Sequence, residues 1–159
     1  MTFLEKFPVR LCQMLVRPGD IARNTESILR MMARARADGI RLVVFPELAV
    51  SGILMEPDWP APPLLRDCEA AVGRIIAESR GIAVIFGAPM RVPGGLIANA
   101  VVAAEDGAPL GHRLKRLSRE NRFDRATGLA CVSEVADPPP GGPFALSGTA
   151  NSPFGFKAP

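Results

Sequence analysis

Glu47 is the residue whose type and position most clearly suggest chemistry. It directly follows the apolar run 41–45 and the rigid Pro46, and a Ser51-Gly52 turn signal lies beyond it. A carboxylate at the end of a buried strand is partly dehydrated, which would raise its pKa toward the value that a general base needs near neutral pH. Considered from its residues alone, the pattern fits a general base and an ordinary surface carboxylate equally well.

The other reactive side chains are few. The cysteines Cys12, Cys68 and Cys131 are odd in number and widely spaced, which argues against a disulfide framework and against a zinc knuckle. We interpret Cys12 and Cys68 as small buried hydrophobic residues. His112 is the only histidine, which is too few for a histidine-based metal site. We therefore expect neither a metal nor a cofactor.

The elements that must position Glu47 alternate between strand and helix. A helix follows the first strand, because Asp20 is a suitable N-cap, apolar side chains then recur on one face, and Gly39 ends the pattern. A second helical face, over residues 65–79, stops at Gly81. Apolar runs and turn signals predict strands at 9–16, 41–45, 82–86, 96–104 and 110–117.

The order of these elements predicts the fold class. Strand, helix, strand is the pattern of a parallel crossover unit, whereas the Asp106-Gly107 hairpin signal indicates antiparallel strands. We predict an α/β protein with a mixed sheet and two helices on one face of that sheet. The stretch 126–159 is rich in Ala, Gly and Pro and sustains no helix or strand pattern. The domain is therefore predicted to cover 1–125, and the remainder to be a loosely ordered tail.

Composition excludes several classes of protein. The chain has 159 residues, of which 48% are hydrophobic and 22% are charged, as is typical of a globular protein. Residues 1–8 lack the pattern of a secretory signal, and no apolar stretch approaches the roughly 18 residues of a membrane span. We expect a cytoplasmic protein without a membrane partner.

The excess of positive charge is local. The formal net charge is +3, and the excess comes from one segment opposed only by Glu120 and Asp124. Its basic residues are Arg113, Lys115, Arg116, Arg119, Arg122 and Arg125. Because the segment lacks the repeated aromatic residues of a stacking surface, we favour a solvated, anion-facing rim over a nucleic-acid site.

Several motifs, taken in order, resemble those of the nitrilase, or carbon–nitrogen hydrolase, superfamily. The matching segments are CQM at 12–14, GDIARN at 19–24, FPELAVSG at 45–52, FGAP at 86–89, and Leu96, Asn99 and Ala100. The likeness covers about residues 10–124 and is strongest to the glutaminase domain of glutamine-dependent NAD synthetase. It implies a nitrilase-like α-β-β-α sandwich, of which this chain would be the front portion only.

The resemblance also implies a mechanism that uses a glutamate, a lysine and a cysteine on a small amide such as glutamine. Glu47 matches the glutamate that takes the thiol proton, and Lys115 matches the lysine that stabilises the oxyanion. The chain is one residue short between Lys115 and Leu117, and a one-residue slip turns a strand side chain to the opposite face. Arg125 stands where the synthetase branch has a supporting glutamate.

The nucleophile is missing from its implied place. When the register is continued through 142–146 and 152–154, the position of the cysteine falls on Gly155, which has no side chain. Cys131 lies too soon after Lys115 and lacks the strand-and-turn context, so we do not expect it to substitute. The resemblance therefore predicts a domain that is catalytically incomplete.

Three hypotheses follow. The chain is a truncated or degenerate hydrolase domain without activity, an active amidohydrolase that uses Cys131, or a non-enzymatic dimerising or binding module. Half of a sandwich would leave a sheet edge and an apolar face uncovered. We therefore expect a homo-oligomer that forms through the sandwich surface.

Overall fold

The fold is a mixed sheet with both helices packed on one face. A computed structural model describes residues 7–53, 62–91 and 97–115. Along this part of the chain the elements are β1 (Val9–Leu11), α1 (Ile21–Ala37), β2 (Leu42–Val44), α2 (Pro62–Ala77), β3 (Ala83–Arg91), β4 (Ile97–Glu105) and β5 (Ala108–Leu114). The predicted tail, 126–159, lies outside the described residues.

The strands lie side by side in their chain order. Strands β1, β2 and β3 are parallel, with Arg10, Val43 and Val84 in register. Strands β3, β4 and β5 are antiparallel. The predicted α/β class, with a parallel unit passing into antiparallel hairpins, is confirmed.

Helix α1 begins and ends where its sequence predicts. The Asp20 side chain accepts a hydrogen bond from the backbone N–H of Arg23, at 3.2 Å, and so satisfies one of the free donors of the first turn. At the other end, Gly39 has a φ of 72°, a left-handed conformation that glycine adopts without strain. Between them, the buried face of α1 contacts the sheet through Ile28 and Met32.

Helix α2 differs slightly from its predicted extent. It begins at Pro62, before the predicted helical face at 65–79, because proline is well tolerated in a first helical turn. It ends at Ala77, so Ser79 lies beyond it. The Ser79 hydroxyl donates to the carbonyl of Ile76 and accepts from the N–H of Gly107. Ser79 therefore joins the end of α2 to the β4–β5 hairpin.

Two strand lengths were predicted wrongly. Strand β1 ends at Leu11 rather than at position 16, because its neighbour β2 is itself only three residues long and Pro46 follows it closely. Strand β3 continues past its predicted end at Phe86, through Pro89 to Arg91, because β4 pairs with it along its whole length. A strand lasts only as long as it has a partner, and a sequence does not state where that partner stops.

The core lies between the helices and one face of the sheet. Val84, Phe86 and Val102 project into it and are buried. The opposite face of the sheet carries Ile85 and Val101, and no helix of the described residues covers it. An apolar groove of about 620 Å³ runs along this open face. Neither described helix has the length and apolar character that crossing a membrane requires.

Candidate functional site

Glu47 lies on a tight turn that is fastened to strand β3. After β2, the N–H of Phe45 still donates to the carbonyl of Ile85, at 2.8 Å. The chain then turns, and Gly87 bonds both sides of the turn: its N–H donates to the carbonyl of Pro46, and its carbonyl accepts from the N–H of Val50. The turn that carries Glu47 is thus held to the middle of the sheet.

The residue after Glu47 has an unusual backbone conformation. Leu48 has a φ of 47°, a left-handed value that residues other than glycine rarely adopt. The carbonyl of Leu48 accepts from the N–H of Gly52 at 2.7 Å, which closes the turn. Strained backbone of this kind persists where the surrounding contacts over-determine it, and it is concentrated at functional sites.

The side chain of Asn24, on helix α1, is hydrogen-bonded to the turn that carries Glu47. Its side chain is 1% exposed and makes three hydrogen bonds. Its Oδ1 accepts from the N–H of Arg17, and its Nδ2 donates to the carbonyls of Arg17 and Val50. Asn24 therefore ties helix α1 to both the loop before it and the turn that carries Glu47. The sequence indicated Asn24 only as part of a motif.

Two donors converge on the carboxylate of Glu47. Lys115 Nζ lies 2.7 Å from Oε1 of Glu47, although the two residues are 68 positions apart. Asn99 Nδ2 donates to the same Oε1. Among the described residues, no hydrogen bond reaches Oε2. Within the described part of the chain, Oε1 therefore accepts both hydrogen bonds of the Glu47 carboxylate, and Glu47 lines the cavity.

The pKa of Glu47 is lowered, not raised. The hydrogen bond from Lys115 is the largest cause, and the Asn99 hydrogen bond and the Lys115 charge act in the same direction. Burial opposes them but is outweighed, since the Glu47 side chain is 48% exposed. The expectation of an upward shift was therefore wrong, because the two donors could not be identified before β4 and β5 were placed beside the turn.

A β-bulge directs Lys115 toward Glu47. Glu105 pairs with Ala108 at the hairpin, but the register shifts by one residue beyond Ala104, so Leu110 is left without a partner. An unbroken ladder would place Lys115 opposite Ala98, on the face covered by helices. With the bulge, the N–H of Lys115 donates to the carbonyl of Asn99 at 2.8 Å, and its side chain lies on the face of Glu47.

The site opens into a cavity of about 370 Å³. Its lining residues are Phe45, Pro46, Glu47, Gly87, Asn99, Ala100, Val101, Arg113, Leu114 and Lys115. No cysteine is present in the part of this lining that the structure describes. The cavity therefore combines one carboxylate, two cationic side chains and one amide on an otherwise apolar surface.

The cysteines lie elsewhere or outside the described residues. Cys68 is buried in the core, and burial raises the pKa of its thiol to about 12, so it is not a nucleophile. Cys12 is half-buried and packs against the core, and burial also raises its pKa. Cys131 and Gly155 fall outside the described residues. Within those residues, no group of His, Cys, Asp and Glu side chains is arranged to hold a metal ion.

Asn99 is the functional candidate whose contacts were missed. The sequence offers a signal, since Asn99 is the one polar residue in the apolar run 96–104. A lone polar residue in a buried strand must find a partner. That signal does not say which partner, because Glu47 reaches Asn99 only through the folded sheet.

The family model for carbon-nitrogen hydrolases matches residues 8–138 of this chain. A glutamine-dependent NAD(+) synthetase from Xylella fastidiosa is 32% identical over 132 residues, which cover 77% of this chain and 24% of that protein. This chain thus spans about a quarter of the length of that relative.

Solved structures show the same fold. A glutamine-dependent NAD(+) synthetase from Cytophaga hutchinsonii aligns with a TM-score of 0.68 and 23% identity, covering 76% of this chain and 21% of its own. A variant amidase from Nesterenkonia sp. AN1 aligns with a TM-score of 0.64 and 23% identity, covering 78% and 47%. In that amidase the acetamide moiety of fluoroacetamide is covalently added at the active-site cysteine.

Proposed function

Because this chain belongs to the carbon-nitrogen hydrolase family, we propose that Glu47 and Lys115 form the acid–base part of an amide-hydrolysing site. The observation that carries this proposal is the 2.7 Å contact between Lys115 Nζ and Glu47 Oε1 at the mouth of the cavity. In this role Glu47 is the general base, and Lys115 stabilises the oxyanion.

The geometry supports a division of work between the two groups. The lowered pKa keeps Glu47 in the ionised form that accepts a proton, although it makes the carboxylate a weaker base than one with a raised pKa. Lys115 carries a positive charge on the cavity wall, where negative charge develops on the carbonyl oxygen of an amide under attack. Both side chains are held by hydrogen bonds before a substrate arrives, which reduces the reorganisation that the reaction requires.

The reaction that such a site performs needs a thiol. Glu47 removes the thiol proton, the sulfur bonds to the amide carbon, and the oxyanion forms beside Lys115. The carbon–nitrogen bond then breaks, and the proton held by Glu47 leaves with ammonia. Water, deprotonated by Glu47, cleaves the resulting thioester and regenerates the thiol. In each half of the reaction Glu47 acts once as a base and once as an acid: it passes the thiol proton to ammonia, and later passes a proton of water to the departing thiolate.

We propose glutamine as the amide that fits this site. Support comes from the relatives, whose names state that they are glutamine-dependent. A cavity of about 370 Å³ also suits a small carboxamide, and Arg113 on its wall offers a partner for a substrate carboxylate. The Nesterenkonia amidase forms a covalent adduct with fluoroacetamide, a small carboxamide, at its active-site cysteine, which is consistent with a small amide as substrate.

We further propose that the chain as written does not turn over. This proposal is supported by the motif order: continuing its register puts the nucleophile position on Gly155, and Cys131 lies only 16 residues after Lys115. Glu47 would then be a retained base with no thiol to deprotonate. The alternative is an active amidohydrolase that uses Cys131.

Ammonia release from glutamine tests both possibilities. We expect no release above the buffer rate from the unaltered chain, from Cys131→Ala or from Glu47→Gln. Turnover that is abolished by both Cys131→Ala and Glu47→Gln would instead establish the Cys131 mechanism. Turnover abolished by neither would overturn the assignment of Glu47.

A second candidate function, self-association, is favoured by the open face of the sheet. Leu11 is 79% exposed there and Val101 is 41% exposed, beside the apolar groove. Exposed apolar surface of this extent marks interaction sites. Light scattering should show a dimer that Val101→Lys converts to a monomer, while Arg30→Glu on the exposed side of α1 leaves the mass unchanged. A monomer at all concentrations would exclude this candidate.

A further inference from the structure

Asn99 contacts both members of the Glu47–Lys115 pair. Its side-chain Nδ2 donates to Oε1 of Glu47, and its backbone carbonyl accepts from the N–H of Lys115 at 2.8 Å. The residue is 9% exposed and lines the cavity. Among the described residues, Asn99 is the one that makes hydrogen bonds to both Glu47 and Lys115.

The strand that carries Asn99 gives it a fixed place. Asn99 is opposite Pro89 on β3, and its backbone groups point toward β5, where Lys115 bonds to it. In an antiparallel sheet, the backbone N–H and C=O of one residue point toward the same neighbouring strand. Because those of Asn99 point toward β5, the facing residue on β3 donates no N–H to Asn99, and proline is tolerated there as Pro89. Asn99 is therefore the third residue of β4, paired with β3 on one side and bonded to Lys115 on the other, and it does not move with a loop.

The chemistry of an amide donor suits this position. Lys115 and Asn99 both donate to Oε1 of Glu47. Two hydrogen bonds from different directions therefore fix the orientation of the carboxylate, where one bond would leave it free to rotate. Oε2 is left without a hydrogen bond among the described residues. The Asn99 amide is a neutral donor, so it orients the carboxylate without adding a second positive charge. A second positive charge would favour the ionised carboxylate further and weaken Glu47 as a base.

We propose that Asn99 is a positioning residue, which orients the Glu47 carboxylate so that Oε2 is the oxygen that exchanges a proton in the cavity. This inference rests on the proposed function, since it takes Glu47 as the base. The inference concerns only the side chain of Asn99. The backbone hydrogen bond that the N–H of Lys115 donates to the carbonyl of residue 99 is kept in any substitution at position 99 that preserves the strand.

Titration of Glu47 tests the inference without requiring turnover. The pKa is followed from the side-chain carboxyl carbon by NMR in the unaltered chain, in Asn99→Ala and in Asn99→Ser. Val101→Ala is the matched control, because Val101 lies two residues along the same face of β4 and lines the same cavity without bonding to Glu47. Thermal unfolding of each variant shows that the strand is kept.

The expected result is a Glu47 pKa that rises in both Asn99→Ala and Asn99→Ser and stays unchanged in Val101→Ala. Neither variant places a larger apolar group beside the carboxylate, and the serine hydroxyl lies one bond closer to the backbone than the Asn99 amide nitrogen and falls short of Glu47. A rise therefore reports the lost donor and not greater burial. A folded Asn99→Ala or Asn99→Ser with an unchanged Glu47 pKa would overturn the inference. If Asn99→Ala does not fold, Asn99→Ser decides it, since it keeps a polar group in the strand.

The result is separable from that of the proposed function. Absence of ammonia release leaves the titration result intact, because no substrate is present. Conversely, a glutaminase whose Glu47 pKa is indifferent to Asn99 would retain the proposed function and lose this inference.

Discussion

Gly87 and Glu47 approach each other so closely that no side chain fits between them. A Cβ at position 87 would lie 2.8 Å from Cα of Glu47 and 2.3 Å from the backbone nitrogen of Leu48. Both neighbours are backbone atoms, so neither can rotate away. The absence of a side chain at position 87 is what allows the turn with the candidate base to rest directly on the sheet.

The substitution Gly87→Ala should therefore displace the Glu47 turn. We expect a loss of about 1–3 kcal/mol in the free energy of unfolding, which is typical of an overpacked site. Chemical denaturation measures it. Gly73→Ala is the control: an added Cβ there meets nothing within 4 Å, and alanine should stabilise helix α2 by up to about 1 kcal/mol. Equal effects at the two positions would contradict the close approach.

Asn24→Leu should destabilise the chain strongly. The substitution leaves the N–H of Arg17 and the carbonyl of Val50 without this partner, whereas the carbonyl of Arg17 keeps the N–H of Asp20. Each buried polar group left unpaired costs about 1–3 kcal/mol. In contrast, Ser27→Ala removes only an exposed 3.3 Å contact on the same helix and should change the unfolding free energy by less than about 0.5 kcal/mol. A small effect of Asn24→Leu would show that water replaces these bonds.

Lys115→Met should change how stability depends on pH. Because the pKa of Glu47 is lowered in the folded state, its contribution is present above the unfolded pKa and is lost as the pH falls through the folded pKa. Both side chains are nearly half exposed, so we expect a loss of only about 0.2–1 kcal/mol at neutral pH, which vanishes in acid. Urea denaturation across this pH range measures the difference. Arg30→Met, which removes an exposed charge on α1 that contacts Ser27 and not Glu47, should keep the original pH dependence.

Insertion of one alanine between His112 and Arg113 should separate Lys115 from Glu47. The insertion moves Lys115 by one position along β4, from Asn99 to Ala98, on the face covered by helices. The Glu47 pKa should then rise, and stability should fall because an ammonium group is directed into an apolar layer. Deletion of Leu110 is the matched control: it removes the extra residue of the bulge but keeps Gly111 opposite Ala103 and Lys115 beside Asn99, so the Glu47 pKa should stay in place. NMR titration of the two proteins compares them, and an insertion that leaves the pKa unchanged would refute the role of the strand register.

Cys68 should resist alkylation in the folded chain. Its thiol is fully buried, and its pKa is about 12, so almost no thiolate exists near neutral pH. Cys12 is half-buried and should react faster. Mass spectrometry after iodoacetamide treatment, before and after denaturation, locates the modified residues. Rapid native labelling of Cys68 would show that α2 opens readily.

Much of the fold was predictable because its signals are local. The Asp20 cap, the glycine after α1 and the Asp106-Gly107 turn each depend on a few neighbouring residues, and each is confirmed. The resemblance to carbon-nitrogen hydrolases is confirmed by the family match. The ends of β1 and β3 were not predictable, because they depend on the lengths of strands far away in the sequence.

The site divides in the same way. By itself, the sequence placed Glu47 directly after a strand that Pro46 closes, and it placed Lys115 near the end of the last predicted strand, 110–117. Only the tertiary structure decided that the two meet, that Asn99 joins them, and that the pKa of Glu47 falls. The reason is physical: a hydrogen bond is made across a few ångströms, and which distant residues come that close is set by strand pairing and by the single-residue bulge at Leu110.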